Sequence, residues 1–189
     1  MLTNCNTMKK IYLLLFISIS MQAQKGYPTP AMADNHLFYI QHSQNHNTFV
    51  YEANFTNKRF DDVEPIKIHR IAYTKGGVKE ELTKLQRKLA YGIEIQKLKE
   101  NHYEFSLVSY PGKKLYMELG PKDKPHVKTT VNGKKMILNK MFLSMEESKS
   151  LKPKVEYIDF YGTDPESKKE IKERFYMKWE NLAIPNGAI

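Results

Sequence analysis

Short runs in which apolar and polar residues alternate occupy most of the chain from Leu37 onward. In one run Phe49, Tyr51 and Ala53 share a side, and a period of two is typical of strands with one buried face. Turn-forming residues separate the runs, and Asn132-Gly133 is a strong hairpin signal because both residues tolerate positive φ. The pattern predicts strands over residues 37–42, 48–55, 66–73, 91–98, 103–107, 115–119, 127–131, 134–143 and 155–161.

Two segments depart from this alternation. Residues 79–90 place Leu82, Leu85 and Leu89 at spacings of three and four, which predicts one face of a helix. Acidic residues open that segment and basic residues close it, as the helix dipole favours. Residues 170–179 are compatible with a strand or a helix, and we favour a strand.

These elements predict a mainly β (α+β) fold, either an antiparallel β-sandwich or an open barrel with one short helix. A single domain is expected over residues 36–179. A flexible lead-in over 24–35 and a tail over 180–189 flank it.

The first residues have the pattern of a cleavable secretion signal over residues 1–23. Lys9 and Lys10 precede an apolar run over 11–21, which is far shorter than the roughly 20 residues that span a bilayer. Cleavage after Ala23 or after Ser20 would suit the preference for small residues. We therefore expect a periplasmic or secreted protein with no transmembrane anchor after cleavage. A buried N-terminal helix is the alternative, and the prolines that soon follow disfavour it.

The composition limits both the chemistry of the mature chain and the classes of partner that it could bind. Cys5 is the single cysteine and lies upstream of the signal, so the mature chain would have neither a disulfide nor a thiol nucleophile. The formal net charge is +9 and the lysines are scattered. They indicate either a solvated surface or attraction to an anionic envelope polymer or glycan. Nucleic acid is not expected, because export removes that partner and no nucleic-acid-binding pattern occurs.

The chain contains no G-x-S-x-G, H-E-x-x-H, Walker A or G-x-G-x-x-G motif, so no cofactor is expected. His42 and His46 flank a predicted turn, and His69 could join them as a third metal ligand. A zinc site needs three or four converging ligands, so the alternative is that these are surface histidines.

Asp159 is a polar residue on an otherwise apolar strand face. Such a carboxylate is either paired or placed at a cleft. The first case predicts an ion pair with Arg70 or Arg87. The second makes Asp159 a catalytic carboxylate assisted by Arg70, Arg87 or Tyr161. The two function hypotheses are therefore a non-catalytic binding or envelope-associated protein, and a carboxylate-dependent enzyme acting on a glycan or envelope polymer.

Several blocks resemble an exported bacterial family known as DUF4833, a domain of unknown function. They are LFYIQ at 37–41, NTFVYEAN at 47–54, the segment 81–92, YEFSLV at 103–108 and VEYIDFYGTD at 155–164. The resemblance spans roughly residues 36–175. It implies a single exported domain, and it assigns no activity, ligand or catalytic residue.

Overall fold

The computed structural model describes residues 26–146 and 154–177. The predicted signal over 1–23 and tail over 180–189 lie outside these ranges. The described residues form thirteen strands and one α-helix. In chain order they are β1 His36–His42, β2 Asn45–Ala53, β3 Phe55–Thr56, β4 Arg59–Phe60, β5 Ile66–Ala72, β6 Val78–Glu81, α1 Lys84–Leu89, β7 Ile93–Lys99, β8 His102–Leu107, β9 Tyr110–Leu119, β10 Pro125–Val131, β11 Lys134–Met145, β12 Val155–Thr163 and β13 Glu170–Tyr176.

Most strands belong to one sheet with the order β6-β5-β2-β1-β11-β10-β9-β8-β7. β11 is long enough to pair with β10 and then with β1 along one edge, while β12 pairs along its other edge and β13 follows β12. The pairing of β1 with β11 is parallel, and the other pairs in this sheet are antiparallel. The sheet curls into a half-barrel, which confirms a mainly β, open-barrel fold with one short helix.

The core lies on the inner face of this curled sheet. Phe38 stacks on Tyr51 with ring centroids 4.3 Å apart, and the Tyr51 hydroxyl donates a hydrogen bond to the Tyr91 carbonyl at 2.7 Å. Alternate residues of neighbouring strands supply the rest of the core, as the period of two requires. Its most buried members include Phe105, Leu115, Met117, Met136, Leu138, Met141 and Phe160.

The helix is shorter than the leucine spacing predicts. Residues 78–81 form β6 on β5, and α1 begins only after Thr83, whose hydroxyl accepts a hydrogen bond from the Gln86 backbone N–H. Leu82 is buried, whereas Leu85 and Leu89 are exposed. Strand pairing to β5 therefore replaces the first turn of the predicted helix, because tertiary contacts outweigh weak helix propensity.

Residues 26–35 have no regular structure, yet they pack against the outer face of the sheet. The Gln41 side chain donates a hydrogen bond to the Pro28 carbonyl at 2.8 Å, and the Tyr27 hydroxyl donates to the Ser43 carbonyl at 3.1 Å. Tyr27 also makes a T-shaped contact with Phe142. The described part of the lead-in is thus attached to the sheet, where the sequence predicts flexibility.

Candidate binding surface on the outer face of β11, β12 and β13

A β-bulge places a row of charged and aromatic side chains on the outer face. The register of β11 against β12 shifts between Leu138 and Lys140, so Leu138 faces the core and Lys140 faces outward. Lys140 then stands beside Tyr39 on β1 and Tyr161 on β12, and Tyr161 pairs with Lys172 on β13. A second row, Phe142–Asp159–Arg174, lies next to it. We call the charged members Lys140, Asp159, Lys172 and Arg174, with Tyr157 and Tyr161, the basic surface.

Asp159 is the only carboxylate of the basic surface, and both of its oxygens are engaged. Its side chain is 2% exposed, and Arg174 donates to its oxygens from Nε at 2.7 Å and from Nη2 at 2.9 Å. Lys172 Nζ lies 2.8 Å from Oδ2. Burial alone would raise the pKa of Asp159, but the hydrogen bonds from Arg174 and Lys172 outweigh it and the pKa lies below its ordinary value.

The cations of this surface also lie over aromatic rings. The Arg174 guanidinium is 3.7 Å from the Tyr157 ring centroid. Lys172 and Lys140 lie 5.1 Å and 5.2 Å from the Tyr161 centroid. These are cation–π distances, so the rings help to hold the charges in place. Three cations and one carboxylate give the basic surface an excess of positive charge at fixed positions.

The residues considered as a catalytic group do not come together. Arg70 lies on the inner face, where it is bonded to Glu80, and Arg87 Nη2 lies 3.6 Å from Glu81 Oε2. Strands β2, β1 and β11 separate β5 from β12. The partner of Asp159 is therefore Arg174 instead of Arg70 or Arg87. Asp159 is therefore a paired carboxylate, as the first alternative describes, with a different arginine as its partner.

The three candidate histidines are also apart. The His42 ring lies near Phe49, the His46 ring contacts Tyr27, and His69 Nδ1 is 3.5 Å from a Glu52 carboxylate oxygen. Within residues 26–146 and 154–177, no three His, Cys, Asp or Glu side chains form a metal-binding group. In the same ranges, no helix has the length and apolar character needed to cross a membrane.

The candidate functional residues that sequence reasoning missed are Lys140, Lys172 and Arg174. Lys172 and Arg174 alternate along β13, which is the signal that could have found them. The register of β13 against Asp159 depends on the turn over residues 164–169, where the Asp164 carboxylate accepts hydrogen bonds from the Glu166 and Ser167 backbone N–H groups. The length of that turn is not evident from composition alone.

A cleft of about 370 Å³ lies beyond that turn. It is lined by Tyr116, Lys128 and Lys135, among others, and by Glu166 of the turn itself. Lys128 is bonded to Glu118, whereas Lys135 is exposed and has no carboxylate partner among the described residues. The cleft adds a free cation at one end of the outer face.

Fold and site together define a half-barrel β domain, in which a curled sheet carries the core on its inner face and a row of fixed positive charges on its outer face. The chain belongs to the DUF4833 family, a domain of unknown function, whose model matches residues 38–174. The match runs from β1 to Arg174 of β13, so the basic surface lies within the family's domain. Neither the curated proteins nor the solved structures contain a match to this chain.

Proposed function

We propose that this protein is an exported, non-catalytic domain that binds an anionic polymer of the cell envelope, such as a glycan with acidic groups, on its basic surface. The observation that carries the proposal is the excess of fixed cations, because Lys140, Lys172 and Arg174 face outward around a single buried carboxylate. Oriented cations attract polyanions and raise the rate of encounter.

Export is supported by the sequence of the N-terminus, where two lysines precede a short apolar run and small residues follow. The envelope is therefore the compartment in which a partner is expected. Its anionic polymers suit a basic protein better than small ligands would. N-terminal sequencing of the protein recovered outside the cytosol should find the mature chain beginning near residue 21 or 24.

A polymer is favoured over a single anion because the cations are partly exposed. An exposed ion pair contributes about 0–1 kcal/mol, so one contact would give only weak binding. A polymer engages several cations at once, and the second contact forms at a high effective concentration. Lys135, at the cleft beyond the turn, would extend such a contact along the outer face.

The experiment is a titration of the mature protein with polygalacturonate, with neutral dextran as the control polymer. We expect binding to polygalacturonate alone, weakening as salt is raised, because screening acts on exposed charges. The variant K140A/K172A should bind at least tenfold more weakly. The matched variant K84A/K88A loses the same charge from exposed lysines of α1, and it should bind within about twofold of the natural chain.

The two double variants separate a local site from general attraction. Equal losses in both would show that only net charge matters, and would overturn the proposal, as would equal binding of dextran. Thermal melts of both variants establish that each is folded before binding is compared. Turnover of an envelope glycan by the purified protein would also contradict the non-catalytic assignment.

A further inference from the structure

Lys140 differs from every other lysine in the described part of the chain. It is partly buried, yet its Nζ makes no hydrogen bond and has no carboxylate oxygen within 4.0 Å among those residues. Two other lysines are similarly buried and both are satisfied. Lys128 is bonded to Glu118, and Lys113 donates to the Thr130 carbonyl. The remaining described lysines are exposed to water.

Aromatic rings surround the Lys140 ammonium. Its Nζ lies 5.2 Å from the Tyr161 centroid, 5.5 Å from that of Phe142 and 5.8 Å from that of Tyr39. Ring faces stabilise a cation, but they carry no net charge. Burial among them lowers the pKa of Lys140 and the nearby Lys172 lowers it further, whereas the more distant attraction of Asp159 opposes the shift. A cation in this position is desolvated without a full counter-charge.

We call the rings of Tyr39, Phe142 and Tyr161 around Lys140 the aromatic cage. The carboxylate beside this cage, Asp159, already binds two other cations. Asp159 is held by Arg174 and Lys172 at hydrogen-bond distances, so it cannot turn to Lys140 without losing those contacts. The basic surface thus supplies two hydrogen-bonding cations for its one buried carboxylate, and its third cation, Lys140, has no carboxylate oxygen within 4.0 Å among the described residues. Arginine in a two-point hydrogen bond holds a carboxylate more firmly than a lone ammonium does.

The borders of the cage restrict the direction from which a ligand can approach. On one side it is bordered by the lead-in, because Tyr27 packs on Phe142. On the other side Lys172 lies across the ring of Tyr161. An incoming anion would therefore meet Lys140 with a second ammonium close by.

We propose that Lys140 is the anchor for one oxyanion of the ligand, a carboxylate, sulfate or phosphate, which supplies the counter-charge that the protein lacks there. This inference rests on the proposed function and names the contact that fixes the polymer on the surface. The anion binds the protonated amine, so binding must raise the pKa of Lys140.

The test follows the Lys140 amine directly. Reductive methylation with ¹³C-formaldehyde labels the lysines of the mature protein, and the variant K140R assigns the Lys140 resonance. Its titration midpoint is measured by NMR alone, with polygalacturonate, with monomeric galacturonate and with inorganic phosphate. We expect the polymer to raise the Lys140 midpoint and to leave that of Lys88 on α1 unchanged. Binding by K140A should be about tenfold weaker, and K140R should recover most of it.

The titrations with polymer and with free anions distinguish the Lys140 anchor from the binding function, and a polymeric ligand from a free oxyanion. If polygalacturonate binds but the Lys140 midpoint stays in place, or if K140A binds as well as the natural chain, the anchor is overturned and the binding function stands. If the polymer does not bind, the proposed function falls, and a midpoint raised by phosphate or galacturonate would support Lys140 as a site for a free oxyanion. If the polymer does not bind and no anion moves the midpoint, both proposals fail.

Discussion

Two carboxylates on the outer face, Asp159 and Glu118, occupy similar places in the sheet and have different neighbours. Each lies in the middle of a row across three adjacent strands. Asp159 pairs with Phe142 on β11 and Arg174 on β13, whereas Glu118 pairs with His102 on β8 and His126 on β10. The strand geometry is therefore alike, and the chemistry of the neighbours sets the difference.

The contacts around Glu118 are looser than those around Asp159. Lys128 is bonded to Glu118, but His126 Nε2 and His102 Nε2 lie 3.4 Å and 3.6 Å from its oxygens. His126 Nε2 is buried and makes no hydrogen bond to any of the described residues. Asp159 instead receives a two-point hydrogen bond from Arg174. Arginine keeps its charge throughout the physiological range, whereas histidine loses its proton near pH 6.5.

The two ends of the outer face therefore hold charge in different ways. On β11–β13 the positive charge does not change between pH 5 and 8, which suits permanent contact with a polyanion. On β8–β10 the charge depends on histidine protonation. Burial lowers the pKa of His126, although Lys124 and Glu118 oppose that shift. Three predictions test this distinction.

The largest effect is expected for Gly162→Ala, which acts on the bulge behind the basic surface. A Cβ at Gly162 would lie 2.3 Å from the Ile137 carbonyl oxygen, so β11 and β12 would have to move apart. We expect a loss of about 3 kcal/mol in the free energy of unfolding, typical of severe overpacking. Urea denaturation measures it.

Gly112→Ala on β9 is the matched control, because a Cβ there meets no atom within 4 Å. It should change stability by less than about 1 kcal/mol. Similar values for the two variants would mean that the β11–β12 register tolerates a side chain at Gly162. The bulge would then not be what directs Lys140 outward.

A smaller effect is expected for the isosteric pair D159N and E118Q at neutral pH. D159N should cost about 2 kcal/mol, because it removes charge-assisted hydrogen bonds from a buried position. That figure is below the usual range for a buried ion pair, since Arg174 and Lys172 are 38% and 46% exposed and water screens them. E118Q should cost less than about 1 kcal/mol. Equal losses would contradict the distinction between the two rows.

The local elements were predictable from the sequence because each depends on nearby residues. Alternating apolar positions marked most of the main strands, and Asn132-Gly133 forms the predicted hairpin turn with φ of 50° and 80°. The segment over 170–179 contains strand β13, Glu170–Tyr176, as its pattern favoured. The DUF4833 resemblance, carried by blocks such as VEYIDFYGTD, is confirmed by the family match.

The pairing between distant strands was not predictable in the same way. The parallel contact of β1 with β11 joins segments about a hundred residues apart, and no local signal encodes it. The same holds for the site. Pairing was one of the two alternatives that the place of Asp159 on an apolar face suggested, but the choice of Arg174 over Arg70 or Arg87 depends on the register of β13. Lys140 turns outward only because of the bulge beside Asn139.

The smallest expected effect is the difference between variants in how their stability depends on pH. Burial lowers the folded-state pKa of His126, and also those of His36, His42 and His69, below the unfolded value of about 6.5. The stability these groups contribute is present above pH 6.5 and is lost as the pH falls through their folded-state pKa values. The slope is at most about 1.4 kcal/mol per pH unit for each histidine. Asp159, whose pKa is also lowered, contributes stability above about pH 4 that is lost only below it.

The two carboxylate variants should therefore separate in unfolding experiments at pH 7 and pH 5. E118Q removes the attraction that raises the pKa of His126, so its loss of stability between pH 7 and pH 5 should exceed that of the natural chain. D159N should lose as much as the natural chain over that interval, because Asp159 remains ionised in both the folded and the unfolded state at pH 5. H126N should lose less, since one titrating group is gone. A steeper loss for D159N than for E118Q would reverse the assignment, and would make the Asp159 row the pH-dependent part of the outer face.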